Sequence, residues 1–179
     1  KSPLGGAIGN NSTGAHSLQY GKTDYYIESC EVVLADGTVT TFGEASLAQL
    51  RAAGDPDGDL EARIYDAVAR LVEDGADAIE AAYPHLKRNV SGYNIEHLVR
   101  NARERGEVNL GRLMAGSEGT LAIVTEAEVS LEPVPEETSV VMLTYDGVLP
   151  AMRDVEPILE HDPAAVEVMD DVFLDLARE

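Results

Sequence analysis

A β-hairpin signal near the N-terminus constrains the fold of this chain more than any other feature of the sequence. Residues 26–34 and 38–42 are rich in β-branched residues and alternate in polarity, which is typical of strands. The sequence Ala-Asp-Gly lies between them at 35–37, and glycine tolerates the positive φ that a tight turn requires. The sequence therefore predicts two antiparallel strands joined by this turn.

Helical patterns follow the hairpin. One helix is predicted from about Ser46. The strongest pattern covers residues 60–82, because apolar residues recur there at the spacing of one helix face and Asp59 can cap the first turn. Pro84 ends this pattern, and another helix is predicted over residues 95–105 after a loop.

The later part of the chain predicts a long strand. Residues 121–132 alternate in polarity, so that five residues are expected to share one apolar face: Leu121, Ile123, Ala127, Val129 and Leu131.

A domain boundary is predicted at Pro133-Val134-Pro135. Beyond it, the patterns predict the start of a βαβ unit: strand 139–145, helix 148–159, strand 165–169 and helix 172–178. The predicted class is therefore α+β, with one domain over residues 1–132 and the beginning of a second over residues 133–179.

The charge balance excludes several classes of partner. Thirteen Lys and Arg residues against 33 Asp and Glu residues give a net charge of −20, and such a surface repels nucleic acids and anionic lipids. The sequence contains no apolar run near the roughly 20 residues that span a bilayer. The acidity has two interpretations, a protein of a salt-adapted (halophilic) organism or an ordinary acidic cytosolic protein, and the scarcity of lysine favours the first.

Cysteine and histidine positions predict neither a disulfide nor a metal site. Cys30 is the only cysteine, which fits a reducing cytoplasm. The four histidines are scattered without the spacing of metal ligands, and each is interpreted as a surface or capping residue: His16, His85, His97 and His161.

Two glycine-bearing segments are candidates for ligand binding. Residues 5–14 could let a ligand approach the backbone and offer N–H groups to phosphate oxygens, although a tight turn with a helix cap is a purely structural alternative. Residues 116–120, Gly-Ser-Glu-Gly-Thr, could open the backbone towards a ligand or simply lead into an edge strand. Neither segment has the pattern of a Rossmann fingerprint or a P-loop.

Several short matches occur in a fixed order along the chain: Gly5-Gly6, Asn11, Gly14, Tyr20-Gly21, residues 32–37, Ser91-Gly-Tyr-Asn and residues 116–123. Together they resemble the FAD-linked oxidases of the vanillyl-alcohol oxidase and p-cresol methylhydroxylase (PCMH) superfamily. Within it, the most similar branch looks like the D-lactate, glycolate and D-2-hydroxyglutarate dehydrogenases.

The resemblance implies an α+β fold. The expected architecture is the second subdomain of a PCMH-type FAD-binding domain, an antiparallel-rich sheet with flanking helices, followed by the start of an α/β substrate (cap) domain. It further implies a fragment that lacks the first FAD subdomain and most of the substrate domain. Such a fragment is expected to bind FAD weakly or not at all, to be inactive alone, and to self-associate through exposed core surface.

The resemblance also implies site residues. The cofactor-binding residues expected from it are Gly5, Gly6, Gly9, Asn10, Asn11, Ser12, Gly14, Glu118, Gly119, Thr120, Leu121, Ala122, Ile123 and Val124. Lys87, Arg88, Tyr93 and Asn94 could face the flavin or a substrate carboxylate, or form a basic surface loop with Tyr93 packed on the core. No catalytic base is assigned.

The implied activity of the parent protein is oxidation of a D-2-hydroxy acid by hydride transfer to flavin. An electron acceptor and an iron–sulfur module are the implied partners. Two alternatives remain: a non-catalytic subunit that keeps the fold, and a flavoenzyme of the same fold with different chemistry, such as an alkyl-glycerone-phosphate synthase.

Overall fold

The computed structural model of the chain describes residues 3–84, 86 and 88–178. The chain divides into two compact units. The larger unit comprises the described residues of 1–12 and 22–131, and the smaller comprises those of 13–21 and 132–179.

The helices and strands of the described residues follow one another in this order: α1 (Leu4–Gly9), α2 (Ser17–Tyr20), a 3-10 helix (Thr23–Tyr26), β1 (Ile27–Val33), β2 (Val39–Phe42), β3 (Glu44–Ser46), α3 (Leu47–Ala53), α4 (Leu60–Asp74), α5 (Ala76–Ala82), α6 (Ile95–Arg105), β4 (Glu107–Asn109), α7 (Leu110–Met114), β5 (Ile123–Val129), α8 (Val148–Leu159) and α9 (Asp171–Leu176). The first part of the glycine-rich segment at residues 5–14, for which a tight turn was one interpretation, is helical and belongs to α1.

The predicted hairpin is confirmed. Strand β1 lies between β2 and β5 in an antiparallel three-stranded sheet. The turn closes through the Leu34 N–H, which donates to the Thr38 carbonyl at 2.8 Å, and Gly37 has the positive φ of 88° that the turn requires. The sheet with its flanking helices gives the expected α+β class.

A β-bulge changes which face of β5 is buried. The pairing between β1 and β5 skips Thr125, so this residue is an extra one in the strand. The side chains of Ala122 and Val124 therefore face the core, while Ile123 is 65% exposed. The prediction that Leu121 and Ile123 share the apolar face of the rest of the strand was wrong, because alternation holds only where the strand is regular. It was also wrong for Leu131, which lies beyond the end of β5 and is 86% exposed.

The helix predicted over residues 60–82 is divided at Gly75. Asp59 caps α4 as expected, since its carboxylate accepts from the Ala62 N–H at 2.9 Å. At Gly75, a side chain would lie 2.7 Å from the Leu71 carbonyl oxygen of α4 itself, so the end of α4 at this position depends on glycine. Ser46 caps α3 through a capping box with Gln49.

Three short elements escaped the sequence patterns. Strands β3 and β4 pair with each other, and α7 follows β4 directly. Their lengths of three to five residues are too short to show a period. Buried residues of β1, α6, β4 and α7 form part of the core: Ile27, Cys30, Val32, Leu98, Val108, Leu110 and Met114.

The smaller unit has the predicted helices but not the predicted strands. Helices α8 and α9 occupy the expected positions. The described residues of 139–145 and 165–169 form no strand, and Val140 is 93% exposed. A strand needs a neighbour to accept its backbone hydrogen bonds, and no described residue of 132–178 supplies one. Among the described residues, no helix has the length and hydrophobicity needed to cross a membrane.

Candidate functional site

The two glycine-bearing segments meet in the larger unit. The Gly116 N–H donates to the Ile8 carbonyl and the Glu118 N–H donates to the Gly9 carbonyl, each at 3.0 Å. The end of α1 and the loop after α7 are thus joined although more than 100 residues separate them in sequence. The expected convergence of the two segments is present; that they hold a nucleotide remains a prediction.

Asn11 holds the turn after α1 in an unusual conformation. Its φ of 46° lies in the left-handed region, and the residue is 98% buried (2% exposed). The side-chain Oδ1 accepts from the Asp24 N–H at 3.0 Å, which compensates for the backbone strain. A side chain at Gly116 would lie 3.3 Å from the Asn11 Cβ, so the two segments need a glycine at their contact.

The backbone amides of the first segment are already engaged. The N–H groups of Asn10, Asn11 and Ser12 donate to carbonyls of α1 at 2.9–3.1 Å. The interpretation that unpaired amides of this stretch bind phosphate oxygens is therefore not supported for these three residues. The exposed side chain of Asn10 is the polar group of this turn that a ligand can reach.

Gly5 and Gly6 border open space. Both residues are exposed, and a side chain added at either would meet nothing within 4 Å. Their backbone is ordinary helix, where glycine is less favourable than alanine. The fold itself thus gives no reason for glycine at these two positions, and the close approach of a ligand would give one.

The second segment forms an exposed loop that leads into β5. Glu118, Gly119 and Thr120 are exposed, and Glu118 and Gly119 have positive φ values of 52° and 76°. Strand β5 is an edge strand among the described residues, so part of its backbone points away from β1 and can meet a ligand. The side chains of Ala122 and Val124 pack in the core, so only their backbone is available.

A buried cluster of polar side chains lies beside the Asn11 turn. Asp24 is fully buried; its Oδ2 accepts from the Asn94 Nδ2 at 2.6 Å, and its Oδ1 lies 3.6 Å from the Lys22 Nζ. Lys22 also donates to the Asn89 carbonyl at 3.0 Å. His97 Nδ1 lies 3.2 Å from the Asp24 Oδ2. Sequence reasoning did not identify Lys22 and Asp24, because nothing local marks a charged residue as buried.

His97 is a buried residue of this cluster, so its interpretation as a surface or capping residue was wrong. Its ring stacks on Tyr25 at 5.2 Å between centroids. The pKa of His97 is lowered to about 4, mainly because the ring is buried; Asp24 opposes this shift, and the nearby cations Lys22 and Arg100 add to it. The imidazole is therefore neutral near pH 7.

Acidification is expected to destabilise the protein through His97. An unfolded chain protonates histidine near pH 6.5, whereas native His97 stays neutral to about pH 4. The unfolded state binds more protons in this window, so the free energy of unfolding falls as the pH falls from about 6.5 to about 4. Urea titrations across this pH range should show that the free energy of unfolding falls less for His97→Gln than for the wild type. The matched control His161→Gln, at an exposed position, should keep the wild-type pH profile; equal profiles for both variants would contradict the assignment.

The residues expected to face a substrate lie in three different environments. Arg88 is exposed. The Tyr93 Oη lies 2.9 Å from the Thr120 Oγ1, and Asn94 is buried on Asp24. Lys87 lies outside the described residues. Gly14 belongs to the smaller unit, where its carbonyl accepts from the Ser17 N–H and Oγ–H.

A small cavity adjoins the buried cluster. Its volume is about 60 Å³ and its lining includes Lys22, Tyr25, His97 and Arg100. This volume is too small for a flavin. Among the described residues, no group of His, Cys, Asp and Glu side chains is arranged to hold a metal ion.

Comparison with known proteins adds two findings. Residues 1–43 match a family described as an FAD binding domain. The chain is also similar to D-2-hydroxyglutarate dehydrogenase of Pseudomonas putida, with 31% identity over 180 residues that cover 99% of this chain and 17% of that protein.

For two other relatives, the match covers a larger share of the relative's own length. Glycolate oxidase subunit GlcD of Bacillus subtilis is 30% identical over 171 residues, which are 94% of this chain and 25% of that protein. D-lactate dehydrogenase of Archaeoglobus fulgidus is 25% identical over 168 residues, which are 93% of this chain and 26% of that protein. The chain thus spans between one sixth and about one quarter of the length of these relatives.

Proposed function

We propose that residues 1–132 form the second half of an FAD-binding domain. The proposal starts from the family of the chain, which is that of the FAD-linked oxidases. Residues 133–179 begin the substrate domain. The observation that carries the proposal is the contact between the turn after α1 and the loop at residues 116–120, made by the hydrogen bond from the Glu118 N–H to the Gly9 carbonyl. A cofactor can be bound there by two segments that are distant in sequence.

The residues present suit FAD in their chemistry. Gly5 and Gly6 leave room for a flat or extended ligand beside α1. The exposed amide side chain of Asn10 can donate and accept hydrogen bonds. The exposed carboxylate of Glu118 suits ribose hydroxyls better than phosphates, because a carboxylate accepts hydrogen bonds and repels anions.

We place the parent protein among the dehydrogenases of D-2-hydroxy acids, of the D-lactate, glycolate or D-2-hydroxyglutarate class. The names of the relatives support this substrate class. FAD, when bound, supplies the acceptor for the substrate hydride. The chain's own residues bind and orient the cofactor: the backbone of residues 118–124, the side chain of Asn10, and the Asn11 turn that fixes both segments. Arg88 is retained as a candidate for the substrate carboxylate because it is exposed.

The full gene product that contains this chain provides the test. It should show a flavin absorption spectrum and reduce a dye with at least one of D-lactate, glycolate and D-2-hydroxyglutarate. The 179-residue chain alone should be nearly colourless and inactive. A flavoprotein that oxidises none of these acids would favour different chemistry on the same fold, and a protein without flavin would contradict the proposal.

Further partners follow from the same proposal. An electron acceptor and an iron–sulfur module would be partners of the parent protein in the cytoplasm, and copies of the chain would associate. The net charge of −20 supports adaptation to high salt, where ions screen the repulsion between carboxylates. Thermal unfolding in low and high potassium chloride tests this, since a melting temperature independent of salt would contradict it.

A further inference from the structure

Two adjacent residues, Tyr93 and Asn94, reach the two different segments of the candidate site. The Tyr93 Oη lies 2.9 Å from the Thr120 Oγ1, in the loop before β5. The Asn94 Nδ2 donates to the Asp24 Oδ2 at 2.6 Å, and the Asp24 N–H in turn donates to the Asn11 Oδ1 at 3.0 Å. One short stretch of backbone is thereby connected to both sides of the site.

The direction of the hydrogen bond at Thr120 is fixed by its surroundings. The Thr120 Oγ1 lies 2.5 Å from the Ser117 carbonyl oxygen, which can only accept, so the threonine proton points there. Tyr93 therefore donates its phenolic proton to Thr120, and Thr120 donates to the Ser117 carbonyl. Both acceptors lie in the second segment.

The connecting stretch is itself held at several points. The Tyr83 Oη donates to the Tyr93 carbonyl at 2.7 Å, and the Lys22 Nζ donates to the Asn89 carbonyl at 3.0 Å. The Gly92 carbonyl oxygen would lie 3.6 Å from a side chain built at Gly116. The stretch thus lies against the junction of the two segments.

We propose that Tyr93 and Asn94 are positioning residues of the cofactor site, which hold the loop at residues 116–120 at a fixed distance from the Asn11 turn. This inference rests on the proposed function. It differs from the possibility that both residues face the flavin or a substrate carboxylate: Asn94 is buried against Asp24, and the hydroxyl of Tyr93 is bonded to Thr120 in the second segment. Because they fix the geometry of the site before FAD binds, they increase the affinity of the site for FAD.

FAD titrations of the full-length apo-protein, followed by quenching of flavin fluorescence, test the inference. Tyr93→Phe should raise the Kd for FAD about fivefold, the value of one hydrogen bond, and Thr120→Val should raise the Kd at least as much because it also removes the bond to Ser117. The double variant should bind no more weakly than Thr120→Val alone, because Tyr93 has already lost its acceptor in that variant. Thr120→Ser keeps the hydroxyl and should restore wild-type affinity. Tyr145→Phe, which removes an exposed hydroxyl bonded to Asp154 in the smaller unit, is the matched control and should leave the Kd unchanged.

The outcomes separate this inference from the proposed function. A wild-type protein that binds no FAD overturns both. A wild-type protein that binds FAD, with Tyr93→Phe indistinguishable from Tyr145→Phe, overturns the positioning role alone, as do additive effects in the double variant. Melting temperatures of the apo-proteins within about 2 °C of one another, together with the expected change in Kd, show that the hydroxyl acts on the cofactor site rather than on general stability.

Discussion

Substitution of Asp24 by alanine is expected to lower the free energy of unfolding by about 3–5 kcal/mol, the cost of leaving a buried charge without its partner. Asp24 is fully buried and Lys22 is only 3% exposed. Without the carboxylate, the Lys22 ammonium loses its counter-charge and keeps only neutral acceptors, and the Asn94 Nδ2 loses its acceptor. The Asp24 N–H would still donate to the Asn11 side chain, so the loss of stability measures the contribution of the carboxylate. Urea denaturation followed by circular dichroism gives the value.

Asp77→Ala is the matched control for this prediction. Asp77 pairs with Arg103, but its side chain is 93% exposed, so its loss should cost less than about 1 kcal/mol. Should Asp24→Ala fail to fold, Asp24→Asn preserves the shape, and the Lys22→Met/Asp24→Asn double variant should be more stable than Asp24→Asn alone because the unpaired charge is removed as well. Equal losses at Asp24 and Asp77 would show that the buried cluster carries no special stability.

Replacing both Gly5 and Gly6 by alanine is expected to weaken FAD binding by about 10- to 100-fold while leaving the apo-protein as stable as the wild type or slightly more stable. The added methyl groups enter open space in the protein and alanine favours the helix by about 1 kcal/mol per residue. A ligand lying against α1 would be displaced, at a cost of about 1–3 kcal/mol. Equilibrium titration of the full-length apo-protein with FAD and thermal unfolding measure the two effects.

Gly147→Ala is the control for the glycine substitutions. A side chain there also meets nothing within 4 Å, but the residue belongs to the smaller unit. FAD affinity should therefore stay at the wild-type value. If Gly5→Ala/Gly6→Ala binds FAD like this control, the ligand does not pass over α1, and the assignment of these two glycines to the cofactor site is wrong.

Much of the local structure could be predicted from the sequence, because its causes are local. The turn at Gly37 and the cap at Asp59 depend on residues within a few positions of each other, and both occur as expected. The start of α6 after the loop is another such case. The two glycine-bearing segments were recognisable by composition, and the structure joins them through Gly9 and Glu118.

The predictions failed where distant contacts decide the outcome. The bulge at Thr125 depends on pairing with β1, and it turned Ile123 outward against the alternating pattern. The residues of 139–145 look like a strand but have no partner strand among the described residues. The use of the Asn11 amide inside the α1 turn also followed from backbone geometry rather than composition.

Neighbouring residues encode the hairpin, most helix positions and the two glycine-bearing segments, so these features could be predicted from the amino-acid pattern. The common burial of Lys22, Asp24 and His97 and the contact of Tyr93 with Thr120 depend instead on how the chain folds. These contacts join residues 27 and 73 positions apart, apart from the short Lys22–Asp24 step. The free energy of a charge depends on whether its neighbours in space exclude water, and no local pattern in a chain records which residues those neighbours will be.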